Sequence, residues 1–229
     1  MCLKTFFYDI MFHKGNPIST QWGYYEILKL LPNDITILDV GVGDGIYFTN
    51  YKVINLIKDK NIKIHGIDID PHSLLVCNKR ILKNNLENHV KVELISLFNI
   101  KDKYDYILFM ESFPVIENHL FINFLEHSKM LAKKEIFLYH NLIQNDEYSE
   151  IFSFTKRTVL YYITFNDFGK LTTIEMMKDI LTNGCKINKE TINMKILLEC
   201  KYKEMCYLFY LIPYFNNKKI KQYLITIYN

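Results

Sequence analysis

Three acidic side chains and one histidine mark where this sequence concentrates its chemistry: Asp39, Asp68, Glu111 and His140. Asp39 lies within Ile35-Thr36-Ile37-Leu38-Asp39-Val40, directly ahead of Gly41-Val42-Gly43-Asp44-Gly45. Glycines there let the backbone turn sharply and lie flush against a ligand, because no Cβ intervenes. A fixed negative charge before such a turn does nothing for a phosphate. It favours a ligand bearing an ammonium or a sulfonium, through charge-assisted hydrogen bonds and a favourable field. Asp68 ends Ile62-Lys63-Ile64-His65-Gly66-Ile67-Asp68. It comes about 20 residues after the glycines, where a carboxylate can take both hydroxyls of an adenosyl ribose. Asp70 precedes Pro71, and an N-cap followed by Pro at the first helical position accounts for it. Asp68 is thereby left for the ligand.

An alternation of strands and helices surrounds these residues. Ile35, Ile37, Leu38 and Val40 suit a strand covered on both faces, and Asp44 or Gly45 is expected to open a helix with Val53, Ile54 and Ile57 inward. Ahead of it, Ser19 or Thr20 can cap a helix with Trp22, Tyr25 and Leu28 on one face, stopped by Pro32. The helix from Pro71 should turn Leu74, Leu75, Ile81 and Leu82 inward, and Lys79, Arg80 and Lys83 to solvent. Residues 90–95 alternate as a strand, and 104–110 form the next. Leu120, Phe121, Phe124, Leu125, Ser128 and Leu131 share a helix face. A turn at Lys133-Lys134 then leads into a strand over 135–139, with His140-Asn141 at its carboxyl end. Thr172-Thr173-Ile174-Glu175 is a capping box for a helix with Ile174, Met177 and Leu181 inward, closed by Gly184. Residues 185–193 and 206–212 read as the last strands, joined by 195–203, and Lys218-Lys219-Ile220-Lys221 begins a basic tail. A parallel sheet with helices on both faces is the natural packing of this order.

The run Leu38-Asp39-Val40-Gly41-Val42-Gly43-Asp44-Gly45 resembles the first motif of the class I S-adenosylmethionine-dependent methyltransferases, and Asp68 matches their second. The resemblance implies an α/β fold: a doubly wound, mostly parallel seven-stranded sheet with an antiparallel C-terminal edge hairpin. It implies one domain over residues 1–229, with a helical lead-in (1–31), a cofactor half (33–140) and a substrate-side half carrying a variable insert (141–229). The implied cofactor is S-adenosylmethionine. Asp39 and the backbone at Gly41, Val42, Gly43 and Gly45 would hold its methionine end, Asp68 its ribose with Ile69 beside it, and Ser96 with Leu97 its adenine; Met110 completes the set. Many relatives carry Asp where Ser96 stands, so this contact would lack charge assistance. The loop Glu111-Ser112-Phe113-Pro114 lacks the Asn-Pro-Pro or Asp-Pro-Pro core of enzymes that methylate adenine or glutamine amino groups. Glu111 is left as a substrate orienter, a base or a helix cap. His140 is either a general base or a histidine hydrogen-bonded at a strand end. The lead-in helix either packs over the cofactor pocket or covers the sheet edge, and the aromatic residues of 142–167 either line the acceptor site or fill core. The implied reaction is an in-line displacement.

At 229 residues the chain suits one well-filled core. A net charge of +3 is too small to imply a nucleic-acid partner. A small-molecule acceptor is preferred, with RNA or protein left open along with the oligomeric state. Cys2, Cys77, Cys185, Cys200 and Cys206 form no CxxC pair, which favours free thiols in a reducing, intracellular setting over zinc or disulfides. The longest apolar run, 205–215, is short of the roughly 20 residues that span a bilayer. A nicotinamide-linked dehydrogenase is a rival, but its G-x-G-x-x-G spacing is broken here by an early Gly45, and Asp39 opposes a pyrophosphate. The other rival is a catalytically silent methyltransferase fold serving as a binding or regulatory subunit, motivated by Ser96.

Overall fold

The structure, a computed structural model, describes residues 18–110, 112, 118–141, 174–201 and 219–228. Its elements run α1 (Ile18–Leu30), β1 (Thr36–Val40), a 3-10 turn (Ile46–Thr49), α2 (Tyr51–Asp59), β2 (Lys63–Asp68), α3 (Pro71–Lys83) and β3 (Val90–Leu94). Then come a 3-10 turn (Leu97–Asn99), β4 (Tyr104–Met110), α4 (Asn118–Leu131), β5 (Ala132–Asn141), α5 (Ile174–Asp179), β6 (Ile192–Lys201) and β7 (Lys219–Tyr228). The strands form one seven-stranded sheet in the order β3-β2-β1-β4-β5-β7-β6. The pairs from β3 through to β5 are parallel, and β7 runs antiparallel to both β5 and β6. The winding direction reverses between β1 and β4, and ligands of open α/β sheets bind outside the carboxyl ends of strands at such a switch.

Two apolar layers cover the sheet. Ile37, Ile64, Leu108 and Phe137 face Tyr24, Ile27 and Leu28 of α1, Val53 and Ile57 of α2, and Leu74, Cys77 and Ile81 of α3. Leu38, Ile67, Ile107 and Ile136 face Phe121 and Leu125 of α4, Met177 of α5 and Leu181 in the turn that follows α5. Adjacent strand residues point to opposite faces, which is how near-continuous apolar runs serve both layers. Among the described residues no helix is long and apolar enough to cross a membrane.

Several local expectations are corrected. In α1 the buried stripe is Tyr24, Ile27 and Leu28, continued by Leu31 just past its end, while Trp22 is 37% exposed and holds Lys52 over its ring. The helix that Gly45 opens is a short 3-10 one, and the α-helix carrying Val53 and Ile57, α2, starts after it, capped by Asn50, whose side chain accepts from the Lys52 amide. In α3 the buried line is Ser73, Leu74, Cys77 and Ile81, and Leu75 and Leu82 lie exposed. Leu120 of α4 is likewise outside the buried face. Lys133 and Lys134 make no turn; they lie within β5, Lys133 near Asp105 at 3.8 Å and Lys134 over the Tyr106 ring.

The largest shift concerns the last strands. Of the expected connection 195–203, residues 195–201 belong to β6, and the basic tail expected from Lys218 is, from Lys219 on, β7. Tyr223, Leu224, Ile225 and Ile227 are buried between β5 and β6, so the basic start of β7 hides a segment whose interior position comes from its two partners. Residues 206–212 lie outside the described residues.

Candidate functional site

The carboxyl ends of β1 and β2 are stitched together by the glycine turn. The Gly41 and Val42 amides both donate to Ile67 O, at 2.9 and 3.1 Å. The Gly43 amide donates to Asp68 Oδ2 at 2.8 Å, and the Ile69 and Asp70 amides donate to Asp68 Oδ1 at 2.8 and 3.0 Å. Amides that already have these partners are not offered to an incoming pyrophosphate, in contrast to a phosphate-binding nest. Arg80 of α3 grips the far side of the turn, reaching Asp44 Oδ2 at 2.6 Å and Asp44 O at 2.7 Å. The expectation that Arg80 faces solvent is thus overturned by a charge partner distant in sequence.

Gly43 has φ +56°, and a Cβ built on it would meet nothing within 4 Å. The turn therefore borders open space at one residue, with the left-handed backbone that favours glycine. Gly41, at φ +74°, is closed in by the Ser112 Cβ, 2.7 Å from where its own Cβ would be.

Asp39 is fully buried. Its Oδ2 accepts from the hydroxyls of Tyr47 at 2.5 Å and Tyr24 at 3.2 Å, while Oδ1 has no partner among the described residues. Burial pushes the carboxyl up to about 7, against the pull of the Tyr47 and Tyr24 hydroxyls and with the nearby Asp68 charge adding to the rise. Ser112 Oγ is a second buried polar atom without a partner among the described residues. Asp70, as expected, caps α3, accepting from the His72 and Ser73 amides.

The other expected residues divide. Ile69, next to Asp68, is 78% exposed, a large apolar surface left uncovered at a strand tip. Ser96 is half-buried and its side chain makes no cap hydrogen bond to the turn it precedes. Leu97 is buried in the layer under α4, and Val42 and Met110 are buried in the layer under α1; what these three can present to a ligand is backbone. Glu111 lies outside the described residues. His140 sits near the end of β5, level with Tyr223, and burial drives its imidazole down to about 4. Alternation places Asp39 on the face of Ile37 and Tyr24, and His140 on the face of Leu138 and Ile136. The sheet therefore separates these two residues by face, although both stand toward its carboxyl edge.

Tyr24, Tyr47, Arg80 and Ser112 escaped the sequence reading as contributors. Tyr47, eight residues past Asp39, carried only the faint signal of an aromatic just after the glycines. Nothing local ties Tyr24 or Arg80 to the turn.

The open cradle at Gly43, the partnerless Oδ1 of Asp39 and the exposed Ile69 together fit a ligand with an ammonium, a ribose and a flat base. Comparison with known proteins agrees. Residues 23–203 match the family model described as mycolic acid cyclopropane synthetase, and no curated protein matches the chain in sequence. Among solved structures, magnesium protoporphyrin IX methyltransferase from Synechocystis with bound S-adenosylhomocysteine is similar at a TM-score of 0.61 and 11% identity, over 94% of this chain and 85% of that one. A plantazolicin methyltransferase in complex with a desmethyl-plantazolicin analogue and S-adenosylhomocysteine gives 0.61 and 17%, over 99% and 90%. A mycolic acid cyclopropane synthase complexed with S-adenosylhomocysteine and CTAB gives 0.60 and 14%, over 91% and 84%.

Proposed function

This chain belongs to the mycolic acid cyclopropane synthetase family and is a class I S-adenosylmethionine-dependent methyltransferase; from that premise we propose that it methylates a small-molecule acceptor, holding the cofactor across the tips of β1 and β2. The cofactor supplies an activated methyl on a sulfonium. Everything else falls to the protein's own groups. Asp68 takes the ribose hydroxyls while its backbone partners keep it aimed. Asp39 Oδ1 accepts from the ammonium, the backbone at Gly41, Val42, Gly43 and Gly45 shapes the methionine channel, and Ile69 lies under the adenine. Ser96 accepts at the adenine edge, with Leu97 and Met110 supporting from the core. Positioning of an already activated donor can supply most of the rate.

One observation carries this reading. Gly43 is bordered by open space, and its amide is held by the carboxylate that would read the ribose. Calorimetric titration with S-adenosylhomocysteine at neutral pH is expected to give micromolar binding. No heat, together with quenching of nicotinamide fluorescence, would overturn this placement of the cofactor. The small-molecule acceptor draws support from the low net charge and from the similar enzymes, whose names refer to a protoporphyrin, a mycolic acid and plantazolicin. Incubating a cell extract with methyl-labelled cofactor separates the classes: label is expected in the solvent-extractable fraction, and label confined to RNA or protein would overturn the preference.

His140 is proposed as the base for an acceptor that must lose a proton. Its burial keeps the imidazole neutral at any pH well above 4, so the group is always ready to accept but is a weak base. His140→Gln is expected to lower kcat with no inflection near the ordinary histidine pKa of about 6.5. Equal turnover in parent and variant between about pH 6 and 9 ends the assignment. Glu111 is proposed as the residue that orients the acceptor.

A further inference from the structure

Asp39 is held in an asymmetric way that a purely structural role does not explain. Tyr24 and Tyr47 are stacked face to face, ring centroids 4.0 Å apart and planes within 7°, with Phe48 edge-on to both. Both hydroxyls converge on Oδ2, and Oδ1 receives nothing from the described residues. A half-satisfied buried carboxylate costs more than an apolar group of the same shape. The group that offsets this cost is a cationic donor at Oδ1.

We propose that Tyr24 and Tyr47 are positioning residues for the cofactor: their hydroxyls clamp Oδ2 of Asp39, keep Oδ1 for the cofactor's ammonium, and so tie helix α1 to cofactor binding. The proposal rests on the cofactor reading above. It adds a role for two residues that no motif marks, one of them on α1, ahead of the sheet. With this clamp, α1 packs over the cofactor pocket through the Tyr24 hydroxyl rather than only covering the sheet edge.

The clamp has a signature in pH. Among the described residues the groups facing Asp39 are Tyr24 from α1, Tyr47 from the 3-10 turn, Cys77 from α3 and Asp68 from the tip of β2; from β4 come the apolar Leu108 and Met110. Burial raises Cys77 to about 12 and both tyrosines above their ordinary value, so none of these three ionises near neutrality. The carboxyl of Asp39, at about 7, is the group that changes charge there. Only the carboxylate attracts an ammonium, so affinity falls as pH drops through this value. Removing a hydroxyl withdraws a hydrogen bond from the charged form and raises the carboxyl by about one pH unit.

Calorimetric binding of S-adenosylhomocysteine from about pH 6 to 8.5 tests this in the parent, Tyr24→Phe, Tyr47→Phe and Asp39→Asn. Each Phe variant keeps the ring and the stack. Each is expected to bind about fivefold more weakly at pH 7, with the gap closing to less than about twofold at pH 8.5. A merely structural loss would be the same at every pH. Asp39→Asn is expected to bind weakly with no dependence on pH across the range. Equal midpoints in the parent and both Phe variants would overturn the clamp and leave the cofactor reading standing. A parent that binds no S-adenosylhomocysteine at any pH would overturn both.

Discussion

Asp68→Ala is expected to weaken S-adenosylhomocysteine binding about a hundredfold. A hydrogen bond to a charged group is worth roughly 1.5–3 kcal/mol. Losing two, one to each ribose hydroxyl, costs about 3 kcal/mol, or two orders of magnitude in Kd. The variant also leaves the amides of Gly43, Ile69 and Asp70 without their acceptor, so the turn that carries the cofactor loosens with it. Asp68→Asn is the milder change on both counts, since one oxygen still accepts from one side of the turn while the new NH2 faces the amide that the other oxygen served. It retains one acceptor oxygen and the shape, and about a tenfold weakening is expected as one charge-assisted contact is lost. Calorimetry gives the affinities, and a thermal melt shows whether the turn has cost stability. Parent-like affinity in a folded Asp68→Ala protein would remove the ribose from Asp68, and a fall in Tm without a fall in affinity would make the residue a staple for the turn and nothing more.

Two glycines in one turn should respond in opposite ways to a single methyl. Gly43→Ala places its Cβ in open space, so the protein bears only the left-handed strain of about 1–2 kcal/mol. The same methyl enters the cradle proposed for the cofactor, and affinity is expected to fall at least about tenfold, the equivalent of about 1.4 kcal/mol. Gly45→Ala drives its Cβ into Cys77 Sγ and to 2.8 Å from Phe48 Cδ2. Strain and overpacking together are expected to cost about 3 kcal/mol of stability, which lowers Tm by roughly 6–12 °C in a chain of this size. Urea unfolding and S-adenosylhomocysteine titration of both variants read the contrast. If Gly43→Ala binds as the parent does, the ligand does not pass over that residue.

Much of the machinery is written in contiguous residues. The turn after β1 needs backbone at positive φ, and Gly41, Gly43 and Gly45 provide it, so the motif states its own geometry. The choice between Asp68 and Asp70 was legible for the same reason. An Asp followed by Pro is a helix start, Asp70 caps α3 through the two amides that follow it, and the remaining carboxylate stands at the strand tip. The alternation of strands and helices, and with it the parallel sheet, follows from apolar patterning over short windows.

Contacts between distant segments were not legible in the same way. Leu74 and Ile81 of α3 meet the sheet as their spacing predicts, but Leu75 and Leu82, on an equally plausible apolar stripe, lie exposed, and packing over β2 and β3 buries Cys77 in their place. The basic start of β7 looked like a tail, since a strand flanked on both sides takes its place from β5 and β6, far away in sequence. Tyr24 and Asp39 are 15 residues apart, Arg80 and Asp44 are 36, and no periodicity links such pairs. Backbone conformation and capping depend on neighbours within a turn or two, so the chain's order of residues settles them. The partners of a buried carboxylate, and the face on which His140 ends, depend on how whole elements pack against one another, which exists only once the chain has folded.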